Sequence, residues 1–118
     1  MTNQSAKARP WPVELRLNPA KTQLTVEYDT GERFVLAAEY LRVESPSAEV
    51  QGHGADQKKI VTGKERVTVE RLEPVGNYAI RIVFDDGHDT GLYSWDYLHE
   101  LGREQRAKWA AYLKAKSG

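Results

Sequence analysis

The side chains best suited to chemistry in this chain gather between Phe84 and Leu98, in the run FDDGHDTGLYSWDYL. His88 stands among Asp85, Asp86 and Asp89, while a second histidine, His53, is flanked by Gly52 and Gly54. An imidazole beside carboxylates can move a proton, be oriented by a hydrogen bond, or hold a metal. Should His53 and His88 meet Asp85, Asp86 or Asp89 in the fold, the nitrogen and oxygen donors would suit iron or zinc. No two of the histidines (His53, His88 and His99) have the spacing that puts two imidazoles on one helix face, so no local metal motif exists. A single histidine among acids is more often hydrogen-bonded and structural. The first expectation is therefore no metal and no cofactor, with iron or zinc on His88 and His53 as the alternative. His99, just past Leu98 at a helix end, is expected on the surface.

Other chemistries fail on spacing. Gly63-Lys64 resembles the tail of a phosphate-binding loop, but Lys58 and Glu65 occupy the places that need a glycine and a hydroxyl. Aligning Gly87 with the turn glycine of a calcium loop puts Ile82, Phe84 and Tyr93 where oxygen ligands belong. Asp85-Asp86-Gly87 reads instead as a hairpin, with Asp-Gly at the centre of a primed turn. If Asp85 and Asp86 still belong to the strand they face opposite ways, which makes them a poor general acid/base couple. Ser45, Ser47 and Ser94 have no adjacent base, and no nucleophile elbow is present. The chain contains no cysteine, which removes thiolate nucleophiles, disulfides, zinc ribbons and cysteine-held iron–sulfur clusters.

The elements that must position these residues follow from periodicity. The length of 118 residues fits one domain. Residues 1–10 are expected to be a disordered tail, and 11–118 a single domain. Val13, Leu15 and Leu17 alternate with charges, then Leu24, Val26 and Tyr28, then Phe34 and Leu36. With Asp29-Thr30-Gly31 as a turn, these predict an antiparallel meander. A short helix is expected over Ala37 to Val43, and a long irregular loop over Ser45 to Lys59. Val67 and Val69 mark a fourth strand and Pro74 to Asn77 a turn. Tyr78, Ile80, Ile82 and Phe84 mark a fifth strand near the sheet centre. Ser94 suits an N-cap, Gly102 a C-cap, and a second helix is expected over Arg103 to Lys116 with Trp109 and Leu113 at i,i+4. Trp95, Tyr97 and Trp109 are expected in the core rather than at a binding surface. No internal repeat is evident. Strands first and helices last predict an α+β domain, a mostly antiparallel sheet with helices on one face and at the C-terminal end.

Lys plus Arg and Asp plus Glu balance at 17 each, so charge draws the chain to neither nucleic acid nor a membrane surface. The basic residues of the last helix read as a solvated face. No apolar run reaches the span of a bilayer and no signal pattern opens the chain, which makes the cytoplasm the default location.

The runs YLRVESPSAEVQGHG, Tyr40 to Gly54, and EPVGNYAIRIVFDDGHDTGLYSWDYLHELG, Glu73 to Gly102, resemble the domain at the N-terminus of gamma-butyrobetaine hydroxylase, found also as small stand-alone bacterial proteins. The resemblance spans Val13 to Leu113. It implies a module separate from the oxygenase itself, whose iron and 2-oxoglutarate ligands lie in another domain. Family members fused to Mrp-type P-loop ATPases imply a link to iron–sulfur cluster assembly. In the hydroxylase, three cysteines after the Tyr-Leu-Arg run and a histidine in the Asp-Gly-His turn bind zinc. The matching positions here are Ser45, Ser47 and Val50, with His88 kept, so the resemblance implies a lost zinc site. Ser45, Ser47, His53, Asp85, Asp86 and His88 remain the candidate binding residues, with His88 expected to hold the Ser-Pro-Ser loop by hydrogen bonds. These features together predict a non-catalytic binding or adaptor module with an unidentified protein partner.

Overall fold

The computed structural model describes residues 9–52 and 58–117. Strands β1 (Pro12–Leu17), β2 (Gln23–Tyr28) and β3 (Arg33–Ala37) form one antiparallel meander and lead into helix α1 (Ala38–Val43). Strands β4 (Val69–Val75), β5 (Ala79–Phe84) and β6 (Leu92–Ser94) form a second meander that leads into helix α3 (Trp95–Arg103). Between them lies the single turn of α2 (Ala48–Gln51), and α4 (Gln105–Ser117) closes the described chain. The α+β class holds, but the strands make two three-stranded sheets rather than one. Both inner faces feed one core, with Leu24, Val26, Tyr28 and Leu36 from the first sheet against Ile82, Phe84 and Tyr93 from the second, and Leu98 and Leu101 from α3. Trp95, Tyr97 and Trp109 pack partly buried against that core, as expected. Among the described residues, no helix is long and apolar enough to cross a membrane.

The two meanders are copies of one device, a repeat that the sequence reading does not find. Each hairpin loop has three residues, Asp29-Thr30-Gly31 and Asp85-Asp86-Gly87, with the glycine at positive φ (+91° and +93°). Tyr28 N–H donates to the Glu32 carbonyl at 2.8 Å, and Phe84 N–H to the His88 carbonyl at 3.0 Å. Because only the third loop residue has positive φ, both loops are turns with a following glycine bulge, not the primed two-residue turn expected at Asp86-Gly87. The first aspartate of each loop locks the strand that opens its own meander. Asp29 exchanges two hydrogen bonds with the Trp11 backbone and Asp85 two with the Thr68 backbone, all between 2.8 and 3.1 Å. A bulge follows at the same place in each, between Pro12 and Glu14 and between Val69 and Arg71.

The helices complete the correspondence, with Glu39-Tyr40-Leu41 opening α1 as Asp96-Tyr97-Leu98 opens α3. Tyr40 donates its hydroxyl to the Leu101 carbonyl at 2.7 Å, and Tyr97 donates to the Glu44 carbonyl at 2.5 Å. Leu101 follows Tyr97 by the same step as Glu44 follows Tyr40. Each half thus caps the other's helix end by the same contact, as subunits do across a two-fold axis.

Several local expectations fail for identifiable reasons. The bulge in β1 turns Val13 outward, 61 % exposed, although simple alternation sends it inward. Tyr78 belongs to the turn before β5 and is exposed, and the interval from Ser45 to Lys59 contains α2, capped by Ser47. Gly102 is not a C-cap. Helix α3 runs through it, and the Phe34 ring lies so close against it that an added Cβ would clash with the ring carbons. In α4 the buried residue is Tyr112, beside Trp109, while Leu113 is exposed.

Two outcomes test this account. Tyr40→Phe and Tyr97→Phe should each lower the free energy of unfolding in urea by about 1–3 kcal/mol, because each orphans a helix-end carbonyl; a negligible loss from either would show that the exchange does not matter. Gly102→Ala, which in an open helix stabilises by about 0.5–1 kcal/mol, should instead lower Tm, since the methyl meets Phe34.

Candidate functional site

The chain leaves α1 through Glu44 and at once presents Ser45, Ser47 and Glu49 to the hairpin between β5 and β6. Ser47 accepts from the Glu49 N–H at 3.1 Å and so starts α2, which turns the Glu49 carboxylate toward the hairpin. His88 follows the hairpin glycine and enters the same place from the other side. Its Nε2 lies 2.8 Å from Ser45 Oγ and its Nδ1 3.0 Å from Glu49 Oε1. Two residues further along both segments, Ser47 Oγ meets Thr90 Oγ1 at 2.7 Å. Gln51 then closes the turn by donating to the Ser45 carbonyl at 2.8 Å.

Burial holds the His88 pKa below the ordinary imidazole value, helped by the Arg42 charge and opposed by Glu49 and Asp86. The ring is therefore neutral near pH 7, with Nδ1–H donating to Glu49 and Nε2 accepting the Ser45 hydroxyl proton. In sequence order of contact this is a hydroxyl, an imidazole and a carboxylate, the connectivity that activates a nucleophile in hydrolases. Access decides against that use. Ser45 is 0 % exposed and the His88 side chain 2 %, so no substrate carbonyl can reach Oγ. The relay works as a latch between the loop after α1 and the second meander.

Asp86 anchors the other side of the latch. Its Oδ1 accepts from the His88 N–H at 3.0 Å, while Oδ2 receives Arg42 Nε at 2.8 Å and Lys64 Nζ at 2.6 Å. Burial alone would raise its pKa, but the hydrogen bonds from Lys64, the His88 N–H and Arg42 outweigh it and bring the carboxyl down to about 2. Arg42 Nη1 is buried with no protein partner.

Of the residues singled out in the sequence, Ser45, Ser47, Asp86 and His88 come together. Asp85 does not join them, because its carboxylate accepts from the Thr68 N–H. Asp89 is exposed, and His53 lies outside the described residues. His99 is not a free surface residue. Its ring packs edge-on against Tyr28 and Phe34, with Nε2 2.7 Å from Glu32 Oε1. Arg42, Glu49, Lys64 and Thr90 were missed. The signal for Thr90 was available, since Ser45 and Ser47 step along one segment as His88 and Thr90 step along the other.

The residues present do not fit the zinc implied by the resemblance. Ser45 and Ser47 offer hydroxyls already used in hydrogen bonds, and Val50 is a buried apolar side chain at 1 % exposure. Among the described residues, no group of three His, Asp or Glu side chains is placed to hold a metal ion.

The chain matches the model of the gamma-butyrobetaine hydroxylase-like, N-terminal family over residues 15–99. It is 40 % identical to a crystallised protein of unknown function of the DUF971 family from Acidithiobacillus ferrooxidans, covering 77 % of this chain and 91 % of that one, with a TM-score of 0.65. Two proteins solved by NMR in solution are 44 % and 46 % identical, with TM-scores of 0.80 and 0.78. They match over 92 % and 100 % of this chain and over 86 % and 89 % of their own. No curated protein matches it.

The latch makes stability depend on pH with a definite sign. Unfolded His88 takes up its proton near pH 6.5, whereas the folded ring does so only at lower pH. The unfolded chain then binds more protons, so the contribution is intact above about 6.5 and is lost as pH falls below it. Tm should drop between pH 7.5 and 5.5. His88→Gln should cost about 1–3 kcal/mol at pH 7.5 by orphaning Ser45 and should flatten that drop; a variant with the wild-type pH slope would place the proton elsewhere.

Proposed function

The chain belongs to the gamma-butyrobetaine hydroxylase-like, N-terminal family, and from that premise we propose that it is a non-catalytic binding module of the cytoplasm that docks onto a separately encoded protein. The observation carrying this reading is the sealed latch. The polar side chains that the family motif brings together are spent on holding the module's own loop, and the hydroxyl that could act as a nucleophile is buried. What the module offers outward is shape and surface. A groove of about 870 Å3 runs where the end of β3 and α1 meet α3 and α4, lined by Tyr40, Arg103, Arg106 and Trp109 among others. Aromatic and arginine side chains are the types that contribute most to protein interfaces. The family resemblance supplies the partner class: an oxygenase, or a P-loop ATPase of iron–sulfur cluster assembly.

A metal-binding role through His88 and His53 has less support, because both ring nitrogens of His88 are already engaged. Elemental analysis separates the two readings. A metal near one per chain, lost in His88→Gln, would favour iron or zinc over the adaptor. For the adaptor, calorimetry of the purified chain against 2-oxoglutarate oxygenases and iron–sulfur ATPases from the same cell should give saturable binding to one class. Arg103→Glu with Arg106→Glu should weaken it at least tenfold. Binding to neither class, or a hydrolytic activity abolished by Ser45→Ala, would overturn the proposal.

A further inference from the structure

The two halves differ most instructively in a place where the fold does not require it. In the first half, the Ala38 N–H at the start of α1 donates to the Thr22 carbonyl at 2.8 Å. In the second, the Trp95 N–H at the start of α3 donates to the Tyr78 carbonyl at 3.1 Å. Ahead of each meander, Thr68 and Trp11 play the same backbone role toward Asp85 and Asp29. Threonine, threonine and alanine therefore satisfy the same backbone bonds that elsewhere involve Trp11, Tyr78 and Trp95. Backbone geometry gives no reason for three aromatics, and two of them stay in water: Trp11 is 48 % exposed and Tyr78 57 %.

Together these three rings wall a small cavity of about 90 Å3, completed by Arg9, Pro10 and Asp96. Trp11 and Trp95 stand nearly perpendicular, 70° apart with centroids at 6.4 Å, so they form a corner rather than a stack. Trp95 Nε1–H donates to the Asn77 carbonyl at 2.8 Å, which uses the indole's polar edge within the protein. The Asp96 carboxylate lies at the rim and already holds a cation, with Arg9 Nη1 at 3.1 Å in a solvent-exposed pair. Aromatic faces present negative potential, and a carboxylate beside them rejects anions and favours positive charge.

We infer that Trp11, Tyr78, Trp95 and Asp96 form a pocket for an alkylammonium group, the size of a methylated ammonium head, for which Arg9 is the resident competitor. It shares no lining residue with the groove of the adaptor reading and does not depend on it. The chemistry is the same whether the ammonium belongs to a free small molecule or to a methylated lysine on a protein. Thr68, Thr22 and Ala38, the counterparts of the three rings, offer no aromatic face to an ammonium.

Titration of the whole chain with tetramethylammonium, with a trimethyllysine peptide, and with the peptide's uncharged tert-butyl isostere tests this by tryptophan fluorescence and calorimetry. Both cations should saturate the signal, and the isostere should bind at least tenfold more weakly. Tighter binding of the peptide would assign the ammonium to a protein side chain, and equal binding to a small molecule. Trp11→Thr and Tyr78→Thr, which copy the other half, should leave Tm nearly unchanged and weaken binding by about 2- to 30-fold each, the range of one cation–π contact. Asp96→Asn should weaken it and Arg9→Ala should tighten it. An isostere that binds as well as the cations, a Trp11→Thr variant that binds normally, or no saturable signal from either cation would overturn the inference.

Discussion

Two tyrosine hydroxyls, each donating to a carbonyl at the far end of the other half's helix, fix how the whole domain is put together. A helix ends with carbonyls that have no partner within it. In α1, only six residues long, those carbonyls make up much of the helix. Tyr97 takes the Glu44 carbonyl and Tyr40 takes that of Leu101. Neither half supplies this cap to itself. Each short helix is therefore completed only when it lies beside its counterpart, which draws two three-stranded sheets, marginal alone, onto a common core. The same crossing carries one basic side chain from each helix to the hairpin loop of the opposite half. Arg42 reaches Asp86, and His99, at the matching place in α3, reaches Glu32.

The latch arises where this symmetry breaks. After α3 the chain runs directly into α4, whereas after α1 it makes the detour through Ser45, Ser47 and α2. That detour adds a layer against the second hairpin that has no equivalent on the first among the described residues. His88 stands where Glu32 stands in the other half, but it is covered by Ser45 and Glu49, and burial keeps it neutral. Glu32, only lightly covered, stays a carboxylate bonded to Thr30 and His99. One position in the repeat thus becomes a lightly covered carboxylate in one half and a buried neutral relay in the other, and the covering segment makes the difference.

Periodicity made most of the strands legible, because alternation of Leu24, Val26 and Tyr28, or of Ile80, Ile82 and Phe84, needs only one buried face to be decoded. It failed at Val13, where a bulge inserts an unpaired residue, and at Gly102, where helix α3 runs on against the Phe34 ring. The repeat is faint in the sequence because the two halves share chiefly turn aspartates and glycines and one acid-Tyr-Leu triplet, while the aliphatic residues between them drift freely. The site was legible as far as Ser45, Ser47 and His88, which the family motif ties together. Glu49 and Arg42 were not, since their roles depend on α2 forming and on α1 crossing to the other half, neither of which has a local signature.

Magnitudes explain how hydroxyls can stand where the family resemblance implies thiolates and zinc. A structural zinc contributes on the order of 10 kcal/mol to a finger peptide that has little core of its own, and such help is needed mainly below about 40 residues. Each hydrogen bond in the latch contributes about 1 kcal/mol net, so the whole set cannot equal a metal. It need not, because the task is smaller. The loop from Ser45 to Gln51 starts from a helix already fixed by the Tyr97 contact and carries Val50 into a buried position. What remains is to stop polar groups from being buried unpaired, where each orphan would cost about 1–3 kcal/mol. Ser45 on His88, Ser47 on Thr90 and Gln51 on the Ser45 carbonyl meet that requirement one group at a time. A hydrogen-bonded latch of this kind holds the loop only because the pseudo-symmetric core has already done the folding.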